Sequence, residues 1–199
     1  MHIRFFHALF SLPEAITLSV EGGIRVEQLA FGELSEYAPG PQGFLTVTVT
    51  GSRTRNVYLQ KTLPFFAPDT FTVAVIPGSR GMELLQIPDY ECFTAVADFA
   101  CIRTVNLTDD PVVYHLYLYG KRLLFSDVSF RHITCHKQIR EGMHGIYLTL
   151  PGSQTPLIPS VFPIRSGEAS TLYVYGSLDS DTLSLLKIKD TPDTLQFPG

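Results

Sequence analysis

An internal repeat constrains this chain more than any other feature, because a duplicated sequence must fold into a unit that occurs twice. Four stretches of the first half recur in the same order in the second half. The last pair is MELLQIPD at residues 82–89 and LSLLKIKD at residues 183–190. The gaps between the matching stretches differ by only a few residues. The sequence therefore predicts two tandem copies of one domain, over residues 1–91 and 92–199.

The first residues raise a second question, since MHIRFFHALFSLPEA has the apolar character of a secretion signal. In the repeat, HIRFFHALFSLPEAITLSVEG aligns with CIRTVNLTDDPVVYHLYLYG, and Ile3 and Arg4 face Ile102 and Arg103. The second stretch lies in the middle of the chain, where a segment does not act as a signal. His7 also interrupts the apolar run. We therefore expect the first residues to form a β-strand of the mature fold.

Alternation of apolar and polar residues is the dominant local pattern, and a period of two is typical of half-buried strands. Leu45, Val47 and Val49, for example, alternate with threonines. Turn sequences such as EGG, APGPQG and LPGSQTP recur every eight to twelve residues or so. The strands predicted for the first copy are Ile3–Ala8, Ala15–Glu21, Arg25–Leu29, Glu33–Tyr37, Phe44–Thr50, Val57–Leu63, Thr70–Ile76 and Met82–Ile87. This pattern predicts an all-β fold of two tandem antiparallel β-sandwich domains of immunoglobulin-like type.

The segment between the copies, PDYECFTAVADFA at residues 88–100, is too apolar for a flexible tether. Leaving Phe93, Val96 and Phe99 in water would cost roughly 1.5–3 kcal/mol per large side chain relative to burial. We therefore expect these side chains to be buried and the two domains to move as one body.

Charge and cysteine content narrow the classes of partner and compartment. The net charge is −4 and no block of Lys or Arg stands out, which disfavours binding to nucleic acid or to an anionic membrane surface. The longest uncharged apolar stretches fall short of the roughly 20 residues of a membrane-spanning helix. Cys92, Cys101 and Cys135 predict three reduced thiols, with a Cys92–Cys101 disulfide as the alternative. The chain as written thus predicts a cytoplasmic protein.

A cluster of potential metal ligands lies in RHITCHKQIREGMHG, where His132, Cys135, His136 and His144 are ligand types for zinc or copper. On a strand, His132 and His136 point to one face and Cys135 points to the other. The aligned residues of the first copy, SEY at 35–37, form no comparable set. The sequence therefore predicts no metal site and no cofactor.

The residues expected of an enzyme are not arranged in a known catalytic pattern. No G-x-S-x-G elbow is present, and the glycines of EGG and SRGM lack phosphate-binding spacing. Glu33, Glu36, Asp109 and Asp110 are interpreted as solvated carboxylates, not as the acid pair of a glycosidase. His7 is interpreted as hydrogen bonded to a neighbouring turn. The sequence predicts a protein that is not an enzyme and has no catalytic residues.

Tyrosines are concentrated in the second copy, at Tyr114, Tyr117, Tyr119, Tyr147, Tyr173 and Tyr175. Alternation places Tyr117 and Tyr119 on one face of a strand and Leu116 and Leu118 on the other. Two interpretations stay open. The tyrosines are ordinary residues of a sheet surface, or they form a partly exposed face that binds a sugar or a protein.

The chain resembles a bacterial family, domain of unknown function 4397. The resemblance rests on IRFFHALFSLPEAITLSVEGG and LAFGELSEY in the first copy, and on DPVVYHLYLYGKRLLFSDVSF and VFPIRSGEASTLYVYGSL in the second. It implies β-sandwich domains that are mostly associated with the cell envelope or secreted, with no established activity.

Together these observations predict a non-enzymatic binding or structural module related to the cell envelope. The alternative is a module that binds carbohydrate or another envelope polymer, and a hydrolase or metal-dependent enzyme is less favoured. The expected partners are a protein or a polysaccharide, and a homo-oligomer stays open.

Overall fold

The computed structural model describes residues 1–12, 14–66, 70–79, 81–89, 92, 97–108 and 110–190. These residues fold into strands and turns without a helix, which confirms the predicted all-β class. They divide into two compact units, the first ending at residue 89 and the second spanning 92–190. Within the described residues, no helix is long and apolar enough to cross a membrane.

The first unit is a sandwich of two four-stranded sheets. Its strands are β1 (His2–His7), β2 (Ile16–Val20), β3 (Ile24–Leu29), β4 (Ala38–Pro39), β5 (Gly43–Gly51), β6 (Val57–Phe65), β7 (Thr70–Gly78) and β8 (Gly81–Pro88). One sheet has the order β4-β1-β7-β8 and the other has the order β3-β2-β5-β6. Neighbouring strands are antiparallel except β1 and β7, which are parallel.

The second unit repeats this arrangement strand for strand. Its strands are β9 (Phe99–Asn106), β10 (Tyr114–Leu118), β11 (Arg122–Val128), β12 (Lys137–Arg140), β13 (Gly142–Thr149), β14 (Leu157–Ile164), β15 (Ala169–Tyr175) and β16 (Ser184–Lys189). Its sheets have the orders β12-β9-β15-β16 and β11-β10-β13-β14, and β9 and β15 are parallel. The two units therefore share one strand order, as a duplicated sequence would produce.

Each unit has its own core between its two sheets. In the first unit, Ile3, Phe5 and Val73 come from one sheet, and Leu18 and Val49 from the other. All five are buried, and the alternating residues of β5 point to the opposite face. The second unit is built the same way, from the inward side chains of β9 and β15 on one side and β10 and β13 on the other.

The strand predicted over Glu33–Tyr37 is wrong. Regular pairing with β1 is confined to the two residues of β4, and before them there is only a single bridge between Phe6 and Leu34. The cause is the Ser35 hydroxyl, which accepts a hydrogen bond from the Phe5 amide at 2.9 Å. A side-chain oxygen thus replaces a backbone carbonyl and interrupts the ladder.

The second unit has the same interruption at the aligned position. There the Thr134 hydroxyl accepts a hydrogen bond from the Thr104 amide at 2.9 Å, beside a single bridge between Val105 and Ile133. Alignment of Thr134 with Ser35 is therefore confirmed by the contacts of the two side chains.

The prediction of three reduced thiols is also wrong, because Cys92 and Cys101 form a disulfide. Cys101 lies buried on β9, and the two Cα atoms are 6.0 Å apart, within the range that a disulfide spans. Cys135 is a free and exposed thiol. Phe93 and Val96, whose burial was predicted, lie outside the described residues, and Phe99 is half-buried. Joint motion of the two domains stays a prediction.

Thiol titration of the denatured chain without reductant should find one thiol, and titration after reduction should find three. Replacing Cys92 with serine should lower the free energy of unfolding of the second unit by about 2–3 kcal/mol, because the disulfide closes a short loop in the unfolded chain. Cys135→Ser is the control and should change it little. Three thiols before reduction would contradict the disulfide.

Candidate functional site

The candidate site is the outer face of the sheet β11-β10-β13-β14 in the second unit. Leu116 on β10 and Leu148 on β13 point into the core. Tyr117 and Tyr147, each one residue from a core leucine, therefore point outward, and so does Tyr119 just past the end of β10. The predicted common face of Tyr117 and Tyr119 is confirmed, and the structure adds Tyr147 to it.

These three side chains form one aromatic surface, here called the tyrosine face. Tyr117 lies directly opposite Tyr147 in the strand register, and their rings stack at 5.6 Å with an interplanar angle of 14°. The Tyr119 ring is 5.7 Å from that of Tyr147 and tilted by 37°. Tyr147 is buried, at 8% exposed, and Tyr119 is 56% exposed, so the surface runs from a buried ring to an open edge.

Gly145 allows this surface to form. A Cβ atom at Gly145 would lie 1.5 Å from the Tyr119 ring, so only glycine lets the ring lie against the backbone of β13. The Tyr119 amide also donates to the Gly145 carbonyl at 2.9 Å. Sequence reasoning missed Gly145, and the available signal was a glycine inside an alternating strand, which marks a close approach.

Apolar side chains border the tyrosine face. Leu123 on β11 lies opposite Tyr117, and Val161 on β14 lies opposite Gly145. Both are exposed, as is Met143 on β13. Exposed apolar side chains grouped in one place, in contrast to scattered ones, indicate an interaction site.

At the positions of Tyr117, Tyr147, Leu123 and Val161 the first unit has polar residues, whereas at the position of Met143 it has the exposed Phe44. Its strand register places Ser19 opposite Thr48 as Tyr117 lies opposite Tyr147. Polar residues of this matching face are Ser19, Arg25, Thr46, Thr48 and Thr62. Because both units have the same strand order, the fold does not require aromatic residues there.

A cavity of about 260 Å³ opens beside the tyrosine face. It is lined by Tyr117, Lys121, Tyr147, Thr149, Ser153 and Gln154. Thr149 is 3% exposed, and its hydroxyl has no hydrogen-bond partner within the described residues. In the first unit the matching Thr50 hydroxyl donates to the Thr17 carbonyl at 3.3 Å. A buried hydroxyl without a partner costs about 1–3 kcal/mol, so a partner from outside the chain would stabilise it.

A larger concavity of about 550 Å³ lies on the first unit, and several of its lining side chains are paired with one another. Arg25 is paired with Glu27 at 2.7 Å, and both side chains are more than half exposed. Thr17 and Ser52 share a hydrogen bond of 3.1 Å. This concavity is therefore a solvated polar groove and a weaker candidate than the smaller cavity.

The residues singled out as potential metal ligands do not converge. His132 and His144 each contact a backbone carbonyl, at 3.4 and 2.7 Å, and Cys135 is exposed. His136 faces Asp190 at 3.5 Å. In the part of the chain that the structure describes, no three His, Cys, Asp or Glu side chains are grouped to hold a metal ion.

A buried charge network, which sequence reasoning missed, ties the first unit together. The Arg4 Nε donates to the Thr72 hydroxyl at 2.8 Å, and that hydroxyl donates to Asp89 at 2.7 Å. The Arg4 guanidinium lies 3.6 Å from the Asp89 carboxylate. The Tyr37 hydroxyl donates to the same carboxylate at 2.8 Å, and its ring lies under the guanidinium.

The second unit contains the same network with one exchange. Arg103 donates to Thr171 at 2.8 Å, Thr171 donates to Asp190 at 2.7 Å, and the arginine and aspartate are 3.6 Å apart. His136 takes the place of the tyrosine. The repeat did contain a signal for this network. An arginine near the start of each copy is aligned, and the last matching stretch of each copy ends in an aspartate.

His7 is part of the fold, as predicted, since its Nε2 lies 3.4 Å from the Glu14 carbonyl in the following turn. The side chain is buried and meets the edge of Phe31. Burial lowers the pKa of His7 below its ordinary value of 6.5, against the raising effect of backbone contacts with Glu14 and Leu12.

His7→Asn should remove part of the pH dependence of the stability of the first unit. The lowered pKa means that the unfolded chain binds the proton more readily. The stability from neutral His7 is therefore complete above pH 6.5 and falls as the pH drops below it. Asparagine fits this place, because Asn106 occupies it in the second unit and donates to the Val128 carbonyl.

The measurement is hydrogen exchange of β1 at about pH 7.5 and about pH 5.5. His7→Asn should narrow the difference in protection between the two conditions. His132→Asn, at an exposed histidine, is the control and should leave it unchanged. An unchanged pH dependence in His7→Asn would refute this assignment.

The acidic candidates separate into two groups. Glu33 and Glu36 are exposed, as interpreted, and Glu33 accepts a hydrogen bond from the Ala30 amide at 2.9 Å. Asp109 lies outside the described residues. The exposed carboxylates thus act as solvated turn residues.

Asp110 is buried, so its interpretation as a solvated carboxylate is wrong. It accepts hydrogen bonds from the Ser177 hydroxyl at 2.8 Å, the Leu178 amide at 2.6 Å and the Tyr114 hydroxyl at 3.2 Å. Burial, and then the negative charge of Asp110, raise the pKa of Tyr114. These contacts join two loops of the second unit and give Asp110 a structural role.

Comparison with known proteins assigns the chain to a family. No curated protein sequence matches the chain. Among solved structures, a streptococcal virulence factor that binds alpha-glucan matches with 9% identity over 92% of this chain and 95% of that one. Its TM-score is 0.29, so this likeness carries no argument about fold or function. The model of the family domain of unknown function (DUF4397) matches residues 1–115, more than half of the chain, and the chain therefore belongs to the DUF4397 family.

Proposed function

We propose that this chain is a non-enzymatic binding module of the bacterial cell envelope and that it binds its partner through the tyrosine face of the second unit. The partner is a polysaccharide or a protein of the envelope. The observation that carries the proposal is the contrast between this face and the matching face of the first unit, which is built on the same strand order.

Aromatic residues on this face support a binding role. Tyrosine combines a large apolar ring with a hydroxyl, which suits a surface that is wet before binding and covered afterwards. The first unit places Ser19 and Thr48 at the positions of Tyr117 and Tyr147. Since the first unit has serine and threonine there, the shared strand order does not require the two rings.

Other side chains that could take part in catalysis make structural contacts instead. Asp110 joins two loops and His7 supports a turn. His136 faces the carboxylate of a buried ion pair. These contacts support a binding module over an enzyme.

The disulfide supports an oxidising compartment. Cys92 and Cys101 are bonded to each other, and structural disulfides are rare in the reducing cytoplasm. We therefore propose a location in the cell envelope, in place of the cytoplasmic location predicted from the sequence.

Sedimentation with the cell-envelope fraction of the source bacterium tests this proposal. The full chain should sediment with the fraction. A Tyr117→Ser, Tyr147→Thr double variant should bind at least about ten-fold more weakly, a difference of about 1.4 kcal/mol. Both substitutions copy the residues of the first unit, so the fold should tolerate them.

The matched control is Ser19→Ala, Thr48→Ala on the first unit, which should sediment like the unmodified chain. If the unmodified chain stays in the supernatant, the proposed function is wrong. If the tyrosine double variant sediments as well as the unmodified chain, the binding surface lies elsewhere.

A further inference from the structure

We infer that the tyrosine face binds a saccharide chain and seats one sugar ring in the cavity beside Tyr117 and Tyr147. The inference rests on the proposed function and narrows it from a polysaccharide or a protein to a saccharide. It is carried by the chemistry, the size and the unsatisfied polar groups of the cavity.

The lining of the cavity matches the two sides of a sugar ring. Such a ring has an apolar face of C–H groups and a rim of hydroxyls. The Tyr117 and Tyr147 rings, which stack on each other, form the apolar floor of the cavity. Four polar residues surround this floor, namely Lys121, Thr149, Ser153 and Gln154. An apolar floor with a few polar groups that orient the ligand is the usual construction of a small-molecule site.

The Thr149 hydroxyl points most directly to a ligand. It is buried without a hydrogen-bond partner in the described part of the chain, and it lines the cavity. The Thr50 hydroxyl, at the matching place in the first unit, has a partner within its own sheet. A sugar hydroxyl in the cavity would supply the missing hydrogen bond of Thr149.

The polar groups at the rim are also available to a ligand. Within the described residues, no hydrogen bond or ion pair engages the Lys121 ammonium or the Gln154 amide, and both side chains are exposed. Ammonium and amide groups donate hydrogen bonds to hydroxyl oxygens. Among the described residues that line the cavity none has a carboxylate, so no acidic side chain of that part of the chain competes for these donors.

The size of the cavity favours a small ligand. The cavity of about 260 Å³ lies just below the range of roughly 300–1,000 Å³ typical of small-molecule sites. A stable protein interface instead covers about 800 Å² on each partner. A ligand of one ring fits the cavity.

Tyr119 extends the site from one ring to a chain. It lies two residues beyond Tyr117, or about 7 Å along the strand. Its exposed ring continues the aromatic floor beside Tyr147. A neighbouring sugar of the same chain can therefore stack on Tyr119.

The first experiment separates a saccharide from a protein. One portion of the envelope fraction is treated with proteinase and another with periodate, which cleaves the vicinal diols of sugars. The full chain should still sediment with the proteinase-treated portion and should lose at least about ten-fold in affinity for the periodate-treated portion. The opposite pattern would overturn the saccharide inference and leave the proposed function standing, because binding through the tyrosine face to a protein would remain.

The second experiment tests the place of the ring. Thr149→Val removes the unsatisfied hydroxyl and keeps the shape of the side chain. Its affinity for the proteinase-treated envelope should fall about five- to ten-fold, which is the contribution of one hydrogen bond. Its resistance to urea should stay equal or rise, because no internal hydrogen bond is lost.

Thr50→Val in the first unit is the matched control and gives the reverse result. It loses the hydrogen bond to the Thr17 carbonyl, so it should lower the resistance to urea and leave the affinity unchanged. If Thr149→Val binds as tightly as the unmodified chain, no ring is seated against Thr149 and the inference is wrong.

Discussion

Replacing Arg103 with methionine is expected to lower the free energy of unfolding of the second unit by about 3–5 kcal/mol. The substitution leaves the carboxylate of Asp190, whose side chain is 1% exposed, without its guanidinium partner at 3.6 Å. Thr171 still donates to this carboxylate and His136 Nε2 lies 3.5 Å from it, but neither carries the permanent positive charge of the guanidinium. Most of the loss is therefore the cost of an uncompensated charge.

Amide hydrogen exchange measures this effect separately in each of the two compact units. Tryptophan fluorescence does not report on it, because the chain has no tryptophan. Protection of β9 and β15 should fall, while that of β1 and β7 should stay unchanged. The control is Arg103→Met, Asp190→Leu, which removes both charges and should lose less than the single variant. Equal losses in the two variants would show that packing, and not charge, explains the result.

Gly176→Ala is expected to lower the free energy of unfolding of the second unit by about 2–5 kcal/mol. Gly176 has φ +89°, where an alanine costs about 1–2 kcal/mol. Its Cβ would also lie 2.2 Å from the Thr182 carbonyl oxygen, and overpacking against rigid structure adds about 1–3 kcal/mol. The backbone around Thr182 must move to accept the methyl group.

Gly167→Ala in the same unit is the matched control. Gly167 has φ +72°, but a Cβ there would have no atom of the described residues within 4 Å, so only the backbone conformation should cost stability, by about 1–2 kcal/mol. Urea unfolding of the two variants gives the difference between them. If both lose the same amount, the close approach of Thr182 to Gly176 does not contribute.

Local pattern determined most of the strands. Alternation along Leu45–Thr50 predicts a half-buried strand, and β5 spans Gly43–Gly51. The failure at Glu33–Tyr37 has an equally local cause, because the Ser35 hydroxyl competes for a backbone amide of β1. That competition depends on which strand lies beside the segment, and periodicity carries no information about this.

The buried charge networks show where the repeat stops being informative. Alignment pairs Arg4 with Arg103, and Asp89 and Asp190 end matching stretches. Each arginine contacts the aspartate at the far end of its own copy. This contact follows from the position of β1 beside β7 and of β9 beside β15. The Cys92–Cys101 disulfide, which was the alternative to the predicted three reduced thiols, likewise depends on the contact that the tertiary structure makes between the two residues.

Some features of the tyrosine face were also determined by the sequence alone, and others were decided by the tertiary structure. Sequence alone determined that Tyr117 and Tyr119 share a face, because the alternation of side chains is a property of one strand. Tertiary structure decided that Tyr147 stacks on Tyr117, that Gly145 makes room for Tyr119 and that the Thr149 hydroxyl has no hydrogen-bond partner among the described residues. These contacts depend on the register between β10 and β13, which hydrogen bonding and core packing set between strands that are distant in the chain.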